Sequence, residues 1–188
     1  MKIAILLSCF LTLACLGSAR PKKDVPYIYL RSTDTLYIQV MDSVYVNGSS
    51  LGENDRFHRV EKILEDVLED IKFPLAYKIE RFGAQRTPPN QPRLDLTIFK
   101  WGNNGLSEVE ARFSASIKRD YARNKFGTYF TRTPAPFGGY DRVMRAHNEV
   151  MEEAVAEMVM ELNTRLSVGL LEEEKGEAEG ENDVSESE

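Results

Sequence analysis

The stretch Glu108-Val109-Glu110-Ala111-Arg112-Phe113-Ser114-Ala115-Ser116-Ile117-Lys118 decides the fold. Successive side chains of a strand point to opposite faces, so Val109, Ala111, Phe113, Ala115 and Ile117 share one face and Glu110, Arg112, Ser114, Ser116 and Lys118 the other. Such alternation marks a sheet packed on one side and wet on the other. Upstream, residues 94–101 alternate as well. Gly102-Asn103-Asn104-Gly105 between the two stretches tolerates positive φ, so they read as long strands around a turn. Downstream, 119–125 read as a polar connection and 126–132 as a strand pairing back antiparallel.

Outward from this core the period changes from two to 3.6. Phe57, Val60, Ile63, Leu64, Val67, Leu68 and Ile71 recur every three or four residues among Arg59, Glu61, Lys62, Glu65, Asp66 and Glu69. They predict an amphipathic helix capped by Asn54 or Asp55 and stopped by Pro74. A second helix over 142–168, capped by Asp141, carries Val143, Val150, Met151, Ala154, Val155, Met158, Val159, Leu162 and Leu166, and Gly169 is expected to end it. Residues 27–30, 35–46 and 75–82 are further strand candidates, with a turn cluster at 47–52 and three prolines breaking the pattern over 87–92. Both helices need the same apolar surface. The expected fold is therefore α+β, a two-layer sandwich with an antiparallel sheet of four or five strands and two helices on one face.

Residues 1–19 read as an export signal: Lys2, an apolar run interrupted near Cys9, and then Gly17-Ser18-Ala19. The run falls short of the roughly 20 residues that span a bilayer. Two processing sites compete. Cleavage after Ala19 releases a soluble protein, whereas Thr12-Leu13-Ala14-Cys15 resembles a permissive bacterial lipobox, with Cys15 as the lipidation candidate. Cys9 and Cys15 are the only cysteines, so the body carries no disulfide, which tilts the reading toward a bacterial envelope protein. The segments are then a signal at 1–19, a linker at 20–34, a single α+β domain over 35–171, and a disordered acidic tail at 172–188.

The net charge of −6 is lopsided, because 172–188 hold eight Glu and one Asp against one Lys. The body is left nearly neutral. No stretch of the chain clusters Lys and Arg with aromatics, so nucleic acid is not an expected partner.

His58 and His147, the two histidines, sit in amphipathic helices and read as solvated surface residues. No Gly-x-Ser-x-Gly elbow and no Gly-Lys-Ser/Thr phosphate loop is present. Asp42 with Glu53, Asn54 and Asp55 lacks EF-hand spacing, and Glu65, Asp66, Glu69 and Asp70 form a charged helix face. The expectation is a non-catalytic chain with no metal and no cofactor. What remains is aromatic: Phe99, Trp101 and Tyr129 are expected on the sheet face opposite Val109 and Phe113, beside Arg112, with Phe130, Phe137 and Tyr140 near the proline-rich loop as a second group, of which Phe137 and Tyr140 are further partner-binding candidates.

The order strand, capped helix, strand, long hairpin, strand, C-terminal helix over 36–168 resembles small bacterial envelope lipoproteins. The classes in view are the lipopolysaccharide-assembly and the curli-secretion or penicillin-binding-protein-activator types. The resemblance also rests on the last helix, Ala154-Val155-Ala156-Glu157-Met158-Val159. It implies a binding or assembly module in the periplasm or anchored to the outer membrane, whose partner is another envelope protein or a glycolipid. Two alternatives stay open: a carrier of an apolar ligand such as a lipid, and an enzyme with an unrecognised carboxylate or tyrosine site.

Overall fold

A computed structural model of the chain describes residues 27–44 and 53–182, with side chains from 171 onward excepted. The signal with Cys15 and Ala19, residues 20–26 of the linker, the turn cluster 47–52 and the last six residues lie outside the described residues, as do the side chains of Glu53 and Asn54. The elements follow in the order β1 (Thr35–Asp42), α1 (Glu53–Asp70), β2 (Ala76–Arg81), β3 (Arg93–Asn103), β4 (Glu108–Arg119), β5 (Ala122–Pro134) and α2 (Tyr140–Asn182).

The α+β class and the one-sided helical layer are as expected: α1 lies over β1 and β2, α2 lies over β4 and β5, and the two helices touch. Leu36, Ile38, Leu94, Phe113 and Ile117 of the sheet meet Leu64, Leu68, Met151 and Met158 of the helices in a single cluster. Strand direction departs from expectation. The five strands run β2-β1-β3-β4-β5, with β1 parallel to both neighbours and only β3, β4 and β5 antiparallel. Connection length explains this, since a crossover helix returns the chain to the end where it started and forces parallel pairing. The second crossover, residues 82–92, has no helix. It runs back across the other face of β1, where the Gln39 side-chain amide donates to the Gln85 carbonyl at 3.0 Å, and ends where Tyr37 N–H donates to the Pro92 carbonyl at 3.0 Å as β3 begins. The residues read as a proline-broken spacer therefore cover part of the face that the helices leave free.

Local chemistry sets the ends of α1. Arg56 in its first turn is buried and forms an ion pair with Asp42 of β1 at 2.7 Å. At the far end Lys72 takes φ 52°, and the amides of Lys72 and Phe73 donate to the carbonyls of Glu69 and Leu68 at 2.9 Å each. That is a Schellman cap, so α1 closes on its own carbonyls before Pro74 is reached. The polar connection expected at 119–125 is instead a tight turn at Asp120-Tyr121, and β5 begins at Ala122.

Residues 27–30 are not a strand. They lie extended across the ends of β4, β5 and α2, with Ile28 and Leu30 buried. Arg119 binds Asp34 and donates to the Tyr29 carbonyl at 3.2 Å, while Arg165 of α2 places its guanidinium 4.2 Å from the Tyr27 ring and 3.9 Å from that of Phe126. Gly169 explains how close the segment comes. A Cβ built there stands 2.0 Å from the Leu30 carbonyl oxygen, so the backbones cross where only glycine fits. Gly169 thus lies inside α2 and does not end it: the backbone stays helical to Asn182, through the first part of the segment expected as a disordered acidic tail. Glu, Lys and Ala, which dominate 172–179, are strong helix formers, and these residues extend a helix that packing has already nucleated.

His147 is corrected from surface to interior. It is 2% exposed, its ring nitrogens have no hydrogen-bond partner among the described residues, and its carbonyl accepts the Trp101 indole N–H at 2.8 Å. Burial, then the positive charge of Arg59 on α1, holds its pKa below the ordinary 6.5. The folded state favours the neutral ring, while the unfolded chain takes up a proton below about pH 6.5. Stability is therefore expected to fall on acidification through that value. Urea midpoints between pH 7.5 and 5 should show a His147-dependent slope that His147→Leu flattens; an unchanged slope would rule out this origin.

Candidate functional site

The face of the sheet away from the helices is built by register. Pairing of β2, β1, β3, β4 and β5 aligns Lys78, Tyr37, Arg93, Lys118 and Arg123 in one row. The next row holds Glu80, Gln39, Asp95, Ser116 and Lys125, and the one beyond it Met41, Thr97, Ser114 and Thr128. Further along β3 to β5 come Lys100, Arg112 and Phe130, then Glu110 and Arg132. These side chains come from sequence positions far apart. The clustering of cations that is missing along the chain is assembled across it, and the near-neutral sum for the body conceals it.

Ion pairing on this face is uneven. Asp95, buried, meets Arg93 at 2.7 Å and also Lys118. Arg112 meets Glu110 at 3.1 Å and stacks 5.0 Å from the Phe130 ring, with Arg132 6.0 Å from the same ring. Among the described residues Arg123 reaches no carboxylate: its Nε and Nη2 donate to the Ser116 hydroxyl at 3.3 and 3.2 Å. Two clefts open here. One of about 500 Å³ lies between Gln39, Arg93, Lys118 and the crossover residues 82–91; the other, about 240 Å³, is lined by Asp95, Thr97, Ser114, Ala115, Ser116, Arg123 and Lys125.

The candidates singled out in the sequence divide between the layers. Arg112 is on the uncovered face, and Phe99 is 47% exposed. Trp101 and Tyr129 are not there. A bulge at Phe99 shifts the register between Ile98 and Lys100, so Trp101 pairs with Ala111 and turns into the helical layer. Tyr129 pairs with Phe113 on that same side and donates its hydroxyl to Glu161 of α2 at 2.6 Å; burial first, then that carboxylate, pushes its phenol pKa up. Phe137 in the β5–α2 loop and Tyr140 at the start of α2 are exposed, and the loop is held beside the β3–β4 turn by the Ala135 amide donating to the Ser107 carbonyl. Phe130, named in the sequence only with that loop, is the aromatic that stands between two arginines on the open face. Its pairing with Arg112 depends on a second bulge, at Phe126, that no periodicity reveals. Among the described residues no group of three metal-ligating side chains converges.

No family model matches the chain, and no curated protein matches it. Solved structures do. A crystal structure of an uncharacterized protein is 9% identical, with 72% of this chain and 96% of that one covered at a TM-score of 0.51. A protein from Xanthomonas campestris of the family DUF330 is 12% identical over 67% of this chain and 81% of its own, TM-score 0.45. A minor lipoprotein from Acinetobacter baumannii is 12% identical over 71% and 95%, TM-score 0.38. The first of these shows a shared fold.

Proposed function

We propose that the chain is an exported bacterial envelope protein whose α+β domain is a non-catalytic binding or assembly module, working in the periplasm or from a lipid anchor on the outer membrane. The observation that carries this reading is the asymmetry of the sheet: both helices cover one face, while the other presents Phe130 between Arg112 and Arg132. Exposed aromatics flanked by arginine are the composition of binding hot spots. The export signal and the lipobox-like Thr12 to Cys15 support the compartment, and lipoproteins among proteins of similar shape accord with it. The carrier alternative asks for an apolar hollow between the layers, where Leu64, Met151 and Met158 are instead fully buried against Leu36, Ile38 and Phe113.

Two measurements test the reading. The intact mass of membrane-fraction protein is expected to show either a chain starting at Arg20 or a diacylglyceryl Cys15; cytosolic protein retaining Met1 overturns export. A photo-crosslinking phenylalanine analogue at Phe130 is expected to capture an envelope component that the same probe at Met160, exposed on α2, does not. Identical capture from both positions removes the sheet face from consideration.

A further inference from the structure

The row Arg93, Lys118, Arg123 is an electrostatic anomaly. Adjacent strands lie about 4.8 Å apart, and like charges directly opposite one another are destabilising. Three cations nonetheless occupy three consecutive strands at the same level, with a fourth, Lys125, one row away on β5. The carboxylate that lies among them, Asp95 of β3, is engaged by Arg93 and Lys118. Arg123 and Lys125 are not ion-paired among the described residues.

The surroundings of these two cations are those of an anion site. Arg123 is held by the Ser116 hydroxyl, which accepts from Nε and Nη2 and keeps its own proton free to donate outward. Ser114 and Thr97 present hydroxyls from the next row, and all of them line the cleft of about 240 Å³ with Lys125. The bulge at Phe126 lies directly after Lys125, where the β4–β5 register shifts between Ala115 and Ser116; bulges of this kind re-aim side chains beside sites. Cationic fork, point charge and neutral hydroxyl donors from three strands therefore surround one small solvent-open volume.

We infer that this cleft binds a phosphate group, with Arg123 and Lys125 supplying charge and Thr97, Ser114 and Ser116 supplying hydroxyl donors. The number of donors favours phosphate over carboxylate, since a tetrahedral phosphate offers three terminal oxygens to groups converging from different strands. Asp95, neutralised from the far side by Arg93 and Lys118, closes one wall and limits how much negative charge the cleft accepts. Phe130 and Phe99, exposed further along the same sheet, lie where the remainder of a phosphate-bearing amphiphile would extend. The inference deepens the proposed binding role and rests on it only for the ligand's source, an envelope lipid headgroup or free phosphate.

The test uses amide chemical shifts of the folded chain during titration with inorganic phosphate, with chloride at matched ionic strength as the control. Saturable shifts at Ser114, Ser116 and Lys125 are expected with phosphate alone. Arg123→Gln with Lys125→Gln, both at exposed positions, is expected to weaken phosphate binding at least ten-fold, roughly what the loss of one charge-assisted contact produces. Without phosphate the double variant should melt no lower than the parent, because like-charge repulsion is relieved; adding phosphate should raise Tm only in the parent. Phosphatidylcholine vesicles with and without phosphatidic acid distinguish the sources: retention on phosphatidic acid that the double variant loses identifies a headgroup, and its absence alongside phosphate shifts identifies the free ion. Shifts reproduced by chloride, or phosphate binding unchanged in the double variant, overturn the site. If Phe130 still captures its partner in that event, the binding role stands without an anion site.

Discussion

Replacing Gly169 by alanine is expected to destabilise the domain by about 3–5 kcal/mol, although the same change in an ordinary helix interior stabilises by about 1 kcal/mol. The sign reverses because the new methyl group would stand 2.0 Å from the Leu30 carbonyl oxygen and 3.2 Å from the Tyr29 Cβ. A backbone carbonyl cannot swing aside as a side-chain tip can, so the segment must lift. Ile28 and Leu30, 5% and 0% exposed, lose their burial, each worth about 1.5–3 kcal/mol. Denaturant unfolding of G169A, L30A and the double variant separates the mechanisms. If the segment is already detached in L30A, adding G169A costs little more, and fully additive losses would show that the clash acts elsewhere.

The second large effect is expected at Asp42. Its carboxylate lies 2.7 Å from Arg56, and the two side chains are 9% and 5% exposed. Asp42→Ala removes the carboxylate paired with a buried guanidinium and should cost about 3–5 kcal/mol. The pair is not thereby a net stabiliser. D42L combined with R56M, which exchanges both charges for apolar groups of similar size, is expected to recover most of the loss. Thermal or urea unfolding of the three variants decides: a double variant as weak as Asp42→Ala would mean that the ion pair itself supplies the stability.

How far the chain could be read depended on the range of the interaction concerned. The alternation in β4 and the 3.6-residue spacing of Val60, Leu64 and Leu68 are local, so the packed face and the helical layer were legible. Strand direction was not, because it follows from where 53–70 and 82–92 carry the chain and not from any residue inside a strand. One inserted residue at Phe99 overturned the placement of Trp101, since a period of two has no memory beyond a bulge. His147 looked solvated from the charges around it along the helix, while the neighbours that matter, Trp101 and Arg59, come from other elements. The cationic row was invisible for the same reason: Arg93, Lys118 and Arg123 become adjacent only when three strands are in register. Gly169 carried a real signal that was assigned to the wrong cause. A glycine among helix-forming residues marks either an end or a crossing, and only tertiary packing tells which.

The crossing of Leu30 over Gly169 also bears on the order of events after synthesis. The segment around Leu30 rests on Gly169 inside the last helix, and the strand Thr35–Asp42 waits between two partners made later. A nascent polypeptide lacking its final third has no Gly169 for Leu30 to cross, so this segment is expected to dock only after α2 has been made. For the exported protein proposed above, late closure of this kind would keep the chain pliable while transport is still under way.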